Sequence, residues 1–306
     1  MKKLCVWALA MMTVGATGAM ADHLDDIKAK GKLVVGSEVS FAPFEFYFVG
    51  EDGKEYEAGF EMELARQIAA DIGVELEVSD QQFNGLIPAL QNGDVDLVLS
   101  GMTVTEERKN AVDFSSTYYV GEQPIVVREA DLDTYKTAED LKGKTIGAQL
   151  ATIQQTIAEE QFPDSELLLL PTVPTLLMEL LNGNIEGVVC SKIVATSYMN
   201  IYPGLAFSEV PVESNKNGVG VAVAKGDENA TLLATVNETV ERVVADGTYD
   251  GWVEKACAQN AELLKVQDAA QKVNDTYLKA FSEESGVQSY GEAADLLIAW
   301  YLENNA

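Results

Sequence analysis

The chain states one βα grammar twice, and this repetition constrains its fold more than any other feature. Lys30-Gly31-Lys32-Leu33-Val34-Val35 returns as Lys142-Gly143-Lys144-Thr145-Ile146-Gly147. Leu90-Gln91-Asn92-Gly93-Asp94-Val95-Asp96 returns as Leu180-Leu181-Asn182-Gly183-Asn184-Ile185-Glu186, and Val98-Leu99-Ser100 as Val188-Val189-Cys190. Short β-branched runs alternating with helical periodicity define an α/β chain. In the first copy the pattern predicts strands at 32–36, 74–78 and 95–99. It also predicts a helix opening at Phe60 and stopped by Gly73, and a second helix capped by Asn84. Two ordered copies, rather than many short ones, predict two similar α/β lobes and exclude a solenoid. In open α/β sheets a ligand sits beyond the carboxyl ends of the strands. That rule points to 36–41, 100–108, 149–154 and 190–192, which two facing lobes would bring together in a cleft.

Charge narrows the function classes. The 306 residues hold 21 Lys+Arg against 49 Asp+Glu, a formal net charge of −28. Nucleic acid and anionic membrane surfaces need a basic footprint, so both are excluded as partners. The single histidine, His23, and four arginines leave no material for a triad or a His-based metal site except near the start of the chain. That start reads as an export signal over residues 1–21. Lys2 and Lys3 precede an apolar run, Leu4 to Val14, which closes on Ala19 and Ala21, the small-x-small rule for cleavage before Asp22. The run is too short to span a membrane. Cleavage takes the net charge from −28 to −30 and leaves two cysteines, Cys190 and Cys257. A lone pair without close spacing is no disulfide framework, and two buried thiols are expected rather than a bridge.

Three segments carry chemistry. In Ser100-Gly101-Met102-Thr103-Val104-Thr105-Glu106-Glu107-Arg108, Thr105 is an N-cap followed by acidic first-turn residues. Gly101 admits close approach of a backbone N–H, and Ser100 and Thr103 add hydroxyls. Arg108 beside such donors is either a carboxylate clamp or a solvated helix residue paired with acids. Phe41 to Phe48 is densely aromatic after the first strand. Phe44, Phe46 and Phe48 read as core, while Phe41, like Phe83, is a candidate pocket wall. Glu38 is either a cation partner or a surface carboxylate.

These segments, with Gly59-Phe60-Glu61-Met62-Glu63-Leu64-Ala65, Phe83-Asn84-Gly85-Leu86-Ile87-Pro88-Ala89-Leu90 and Val112-Asp113-Phe114-Ser115, resemble the polar amino acid-binding, solute-binding protein family (family 3) of ABC importers. The resemblance covers roughly residues 30 to 260. It implies a two-lobed periplasmic clamshell, the type II or Venus flytrap fold, with hinge strands crossing near 121–123 and 217–222. Lobe one would be 22–122 and 218–260, lobe two 123–217, and 261–306 a C-terminal helical extension. Carried over by position, Arg108 grips a ligand α-carboxylate with Ser100, Gly101, Thr103 and Thr152. Phe41 and Phe83 stack on the ligand, and Glu38 falls where members that read a cationic side chain carry Asp.

Two positions depart from the family pattern. Ala151-Thr152-Ile153 stands where the family has Gly-Thr-Thr. Ser191, followed by Lys192, stands where an acid holds the α-ammonium. The implied function is a monomeric periplasmic receptor that captures a polar or cationic amino acid and hands it to an inner-membrane ABC permease, without metal or cofactor. The alternatives are a cyclohexadienyl dehydratase-like enzyme on the same scaffold, for which Glu38 is the one acid–base candidate, and a receptor for another organic acid.

Overall fold

The structure is a computed structural model that describes residues 22–50, 54–200, 202–214 and 216–263. The leader read at 1–21 and all but the first three residues of the extension at 261–306 lie outside the described residues.

Helices α1 (His23–Lys30), α2 (Phe60–Ile72), α3 (Phe83–Asn92), α4 (Glu106–Ala111), α5 (Ile153–Gln161), α6 (Val173–Leu181), α7 (Lys192–Met199) and α8 (Ala230–Ala245) surround two five-stranded sheets, and a last helix covers 248–263. The first sheet has the order Glu75–Asp80, Lys32–Ser37, Leu97–Val98, Ala222–Ala224, Val112–Phe114. The second has the order Glu166–Leu170, Thr145–Gln149, Gly187–Val189, Ile125–Arg128, Leu205–Phe207. In both, the first three strands are parallel and the last two join antiparallel. A three-stranded antiparallel sheet (Ser40–Phe41, Glu45–Val49, Glu55–Ala58) carries the aromatic segment.

The lobes repeat one another down to a single glycine. Gly36 pairs with Val98, and Gly147 with Val188. A Cβ on Gly36 would meet Leu86 and Val95 at 3.2–3.3 Å; one on Gly147 would meet Leu176 and Ile185 at 2.8–2.9 Å. Leu86 and Leu176, and Val95 and Ile185, are equivalents in the two copies, so the same helix and strand press on the same bare position. This corrects the sequence alignment by one residue, since Lys-Gly-Lys matching equated Gly147 with Val35. Packing under the helix fixes the register, whereas the Lys-Gly-Lys turn lies before the strand where length can vary. A second correction concerns α3. It starts at Phe83 with Gln82 at the N-cap, so Asn84 lies inside the first turn.

The chain crosses between the sheets twice. Residues 115–124 lead from the Val112–Phe114 strand to Ile125–Arg128, and the return passes from Leu205–Phe207 to Ala222–Ala224. The crossings are tied together. The Val219 N–H donates to Tyr119 O at 2.7 Å, the Tyr118 N–H to Val219 O at 3.0 Å and the Gln123 N–H to Ser214 Oγ at 2.8 Å. Lobe one is closed by α8, whose Leu232, Val236, Val240 and Val243 are buried with α2's Leu64, Ala65 and Ile68. Each such aliphatic side chain contributes about 1.5–3 kcal/mol by leaving water. His23 serves the fold. Its Nε2 meets Asp96 Oδ1 at 2.9 Å, and Asp96 Oδ2 accepts the Val34 N–H at 2.8 Å, which ties α1 to the first sheet. Cys190 and Cys257 are both free thiols, and Cys190 is fully buried.

Candidate functional site

The strand ends of both sheets meet at a cavity. From lobe one it is lined by Glu38, Phe41, Phe83, Ser100, Gly101, Thr103 and Arg108. From lobe two it is lined by Thr152 and by Gln149, Ile153 and Gln154. Ser191 lines an adjoining hollow, together with Gln123, Tyr119 and Phe44. The nine residues singled out from the sequence are therefore gathered in two neighbouring hollows, eight in the first and Ser191 in the second.

Arg108 is positioned by the short α4. Thr105 caps that helix through the Arg108 N–H at 3.1 Å. Its guanidinium donates through Nη1 to Thr103 O at 2.7 Å and through Nη2 to Ala151 O, across the cleft, at 3.0 Å. It also lies over the Phe83 ring, 5.2 Å from the centroid, a cation–π placement. Burial lowers its pKa to about 10, so it stays charged at neutral pH. Two of its five N–H donors serve the carbonyls, which leaves the rest of the fork for a ligand. The solvated-helix alternative for Arg108 is thus set aside. Facing it is the start of α5, whose first-turn N–H groups have no partner within the helix.

Three of the four expected donors, those of Ser100, Gly101 and Thr152, have other partners. Ser100 Oγ donates to Glu45 Oε1 at 3.1 Å and accepts the Glu38 N–H at 3.0 Å. The Gly101 N–H is shared by both oxygens of Glu61, each at 3.0 Å. It does not face a ligand; the missing Cβ instead makes room for Phe41, whose Cε1 lies 2.8 Å from where that atom would be. Thr152 Oγ1 donates to Gln149 O at 2.6 Å while it caps α5.

Glu38 is buried, which removes the surface alternative. Oε1 accepts from Ser40 Oγ at 2.7 Å, and Oε2 from Gln149 Nε2 of lobe two at 2.5 Å. Burial pushes its pKa up to about 7, against the pull of Ser40, Gln149 and the Phe83 N–H. Behind it lie two more buried acids that the sequence reading missed, Glu45 and Glu61. Burial raises both. Glu61 accepts from Gly101 N–H and Tyr118 Oη, the latter at 2.8 Å, while Glu45 Oε2 accepts no hydrogen bond and Glu45 lies next to the charge of Glu61. Both are fully buried, and Glu61, with the Gly101 N–H and Tyr118 Oη as donors, is the better placed of the two to hold a charge. Glu61 stands in the first turn of α2, where an exposed acid is equally at home, and nothing in its spacing marks it as buried.

Lys192 does not enter either hollow. Its Nζ pairs with Glu122 at 2.6 Å on the surface, while Ser191 sits at the N-cap of α7.

Two α/β lobes joined by paired crossings, with a polar cavity between their strand ends, define a clamshell solute-binding protein. Residues 33–258 match the bacterial extracellular solute-binding proteins, family 3. The chain is 31% identical over 258 residues to the L-cystine-binding protein TcyJ of Escherichia coli K12, covering 82% of this chain and 92% of that one. It is 34% identical over 254 residues to the arginine-binding extracellular protein ArtP of Bacillus subtilis, covering 82% and 96%. The structure of the amino acid ABC transporter substrate-binding protein AbpA from Streptococcus pneumoniae bound to L-arginine superposes with a TM-score of 0.74. It is 34% identical and covers 78% of this chain and 99% of that one. The chain belongs to the bacterial extracellular solute-binding proteins, family 3.

Proposed function

We propose that this protein captures an amino acid outside the cytoplasmic membrane, by its carboxylate, and presents it unchanged to the permease of an ABC importer. The observation that carries the reading is the placement of Arg108. It is a charged fork in the cleft wall, bonded to Thr103 O of one lobe and Ala151 O of the other, opposite the start of α5. A carboxylate seated there contacts both lobes only when they are together, so ligand shifts the open–closed population toward closure. Closure also expels water and strengthens the ion pair. Relatives named for binding arginine and cystine support an amino acid as the solute. Export through the 1–21 leader, periplasmic residence and action as a monomer complete the proposal. Release without chemistry is proposed because Glu38 is the one acid–base candidate in the cavity and its carboxylate is held by Ser40 and Gln149.

A thermal-shift screen across amino acids and organic acids identifies ligands, since binding the folded state alone raises the melting temperature. Titration calorimetry then compares the native chain with Arg108→Ala. Affinities near micromolar, about −8 kcal/mol, suit capture and release. The variant is expected to fold and to lose binding; retained affinity refutes the clamp.

A further inference from the structure

This inference deepens the capture reading and rests on it: it concerns the charge of the solute that the Arg108 site accepts. The two hollows adjoin, with Phe41, Gly101, Thr103, Ile153 and Gln154 common to their walls, and are taken together as the binding chamber. Of the described residues lining that chamber, two carry formal charge, Arg108 and Glu38, both in the first hollow. The second hollow offers only uncharged polar groups, those of Gln123, Gln154, Ser191 and Tyr119.

Nearby acids do not make up the difference. Glu45 and Glu61 face Ser100, Gly101 and Tyr118 rather than the chamber. Glu122 is spent on Lys192 at the surface. A buried charge without a local counter-charge is costly. One arginine therefore satisfies one carboxylate, and one glutamate satisfies one cation. A solute with a carboxylate and two cations must leave one of the cations among amides, hydroxyls and a phenol. The amide pair is itself suited to a neutral group. Gln154 Nε2 donates to Gln123 Oε1 at 2.7 Å, which leaves the Gln123 amide N–H groups and the Gln154 carbonyl to face a polar uncharged partner.

We propose that the chamber selects a net-neutral solute with one carboxylate, held by Arg108, and a single cationic group, partnered by Glu38, and that it discriminates against basic amino acids. The cation can come from an α-ammonium or from the far end of an ω-amino acid.

Calorimetry with four probes separates the cases: L-lysine carries both cations, 6-aminohexanoate only the distal one, L-glutamine only the α-ammonium, and hexanoate neither. Either 6-aminohexanoate or L-glutamine is expected to bind at least ten-fold tighter than both L-lysine and hexanoate. Its affinity is expected to fall at least ten-fold in Glu38→Gln. L-Lysine or hexanoate as the tightest probe, an affinity unmoved by Glu38→Gln, or no binding by any of the four overturns the inference. Arg108→Ala keeps the two readings apart. If it abolishes binding while L-lysine is preferred, only this inference fails. If affinity survives it, the capture reading fails as well.

Discussion

Gln149 Nε2 reaches across the cleft to Glu38 Oε2 at 2.5 Å while also donating to Pro171 O of its own lobe at 2.8 Å. It is joined by two other ties between the lobes, Arg108 Nη2 to Ala151 O and Tyr198 Oη to Ser40 O, each at 3.0 Å. These bonds break if the lobes swing apart, so they belong to the closed form. A hydrogen bond to a charged group is worth about 1.5–3 kcal/mol. Gln149→Leu keeps bulk and removes the donor. It is expected to weaken ligand binding by about ten-fold, since 1.4 kcal/mol is a factor of ten, and to enlarge the ligand-free radius of gyration in solution scattering. Native values on both measurements would show that the contact is incidental.

Glu38 also sets a pH dependence. An unfolded glutamate titrates near 4.3, whereas burial holds native Glu38 at about 7. Between these values the native state binds the extra proton, so stability falls as pH rises through that window and levels off above it. The full span is on the order of 3 kcal/mol. Glu45, raised by burial and by Glu61, acts in the same direction. Denaturant unfolding at pH 5, 6, 7 and 8 is expected to show declining stability, with a shallower decline in Glu38→Gln. The general repulsion among the chain's 49 acids acts on both proteins, so the difference isolates Glu38. Equal slopes would contradict this assignment.

Gly101 is held at φ +57°, with the Phe41 ring 2.8–3.1 Å from where a Cβ would lie. Gly101→Ala must bear a left-handed backbone, about 1–2 kcal/mol, and push Phe41 toward the cavity. A melting temperature lower by about 2–8 °C is expected, with weaker ligand binding. A crystal structure of the variant with Phe41 unmoved would argue against the packing account.

The parts of the fold that were legible in the sequence are those that repeat. Leu86 and Leu176, or Val95 and Ile185, occupy the same places in two copies, and periodicity exposes them. Arg108 and Phe83 were legible because they follow strand ends, where an α/β sheet leaves its loops. Glu45 and Glu61 were not legible: each sits at a position that also suits an exposed acid, and only the packing of the aromatic segment over α2 buries them. The amide, hydroxyl and carbonyl partners were hidden for a related reason. Gly101 N–H and Ser100 Oγ each had two possible directions, and the buried acids decided between them.

Ala151 is the described non-glycine residue with positive φ, +63°, at the position where the family pattern has glycine. Its carbonyl accepts from Arg108, and its N–H donates to Gln155 Oε1 at 2.8 Å, so both ends of the residue are held in this conformation. Replacement by glycine removes about 1–2 kcal/mol of left-handed strain and returns about 0.4–1 kcal/mol through the freer unfolded chain. Ala151→Gly is therefore expected to stabilise by about 0.5–1 kcal/mol, read as a melting temperature about 1–4 °C higher. Ligand affinity should change little, because the carbonyl stays in place. A lower melting temperature would mean that the Ala151 methyl makes packing contacts worth more than the strain, and the conformational account of this position would fall.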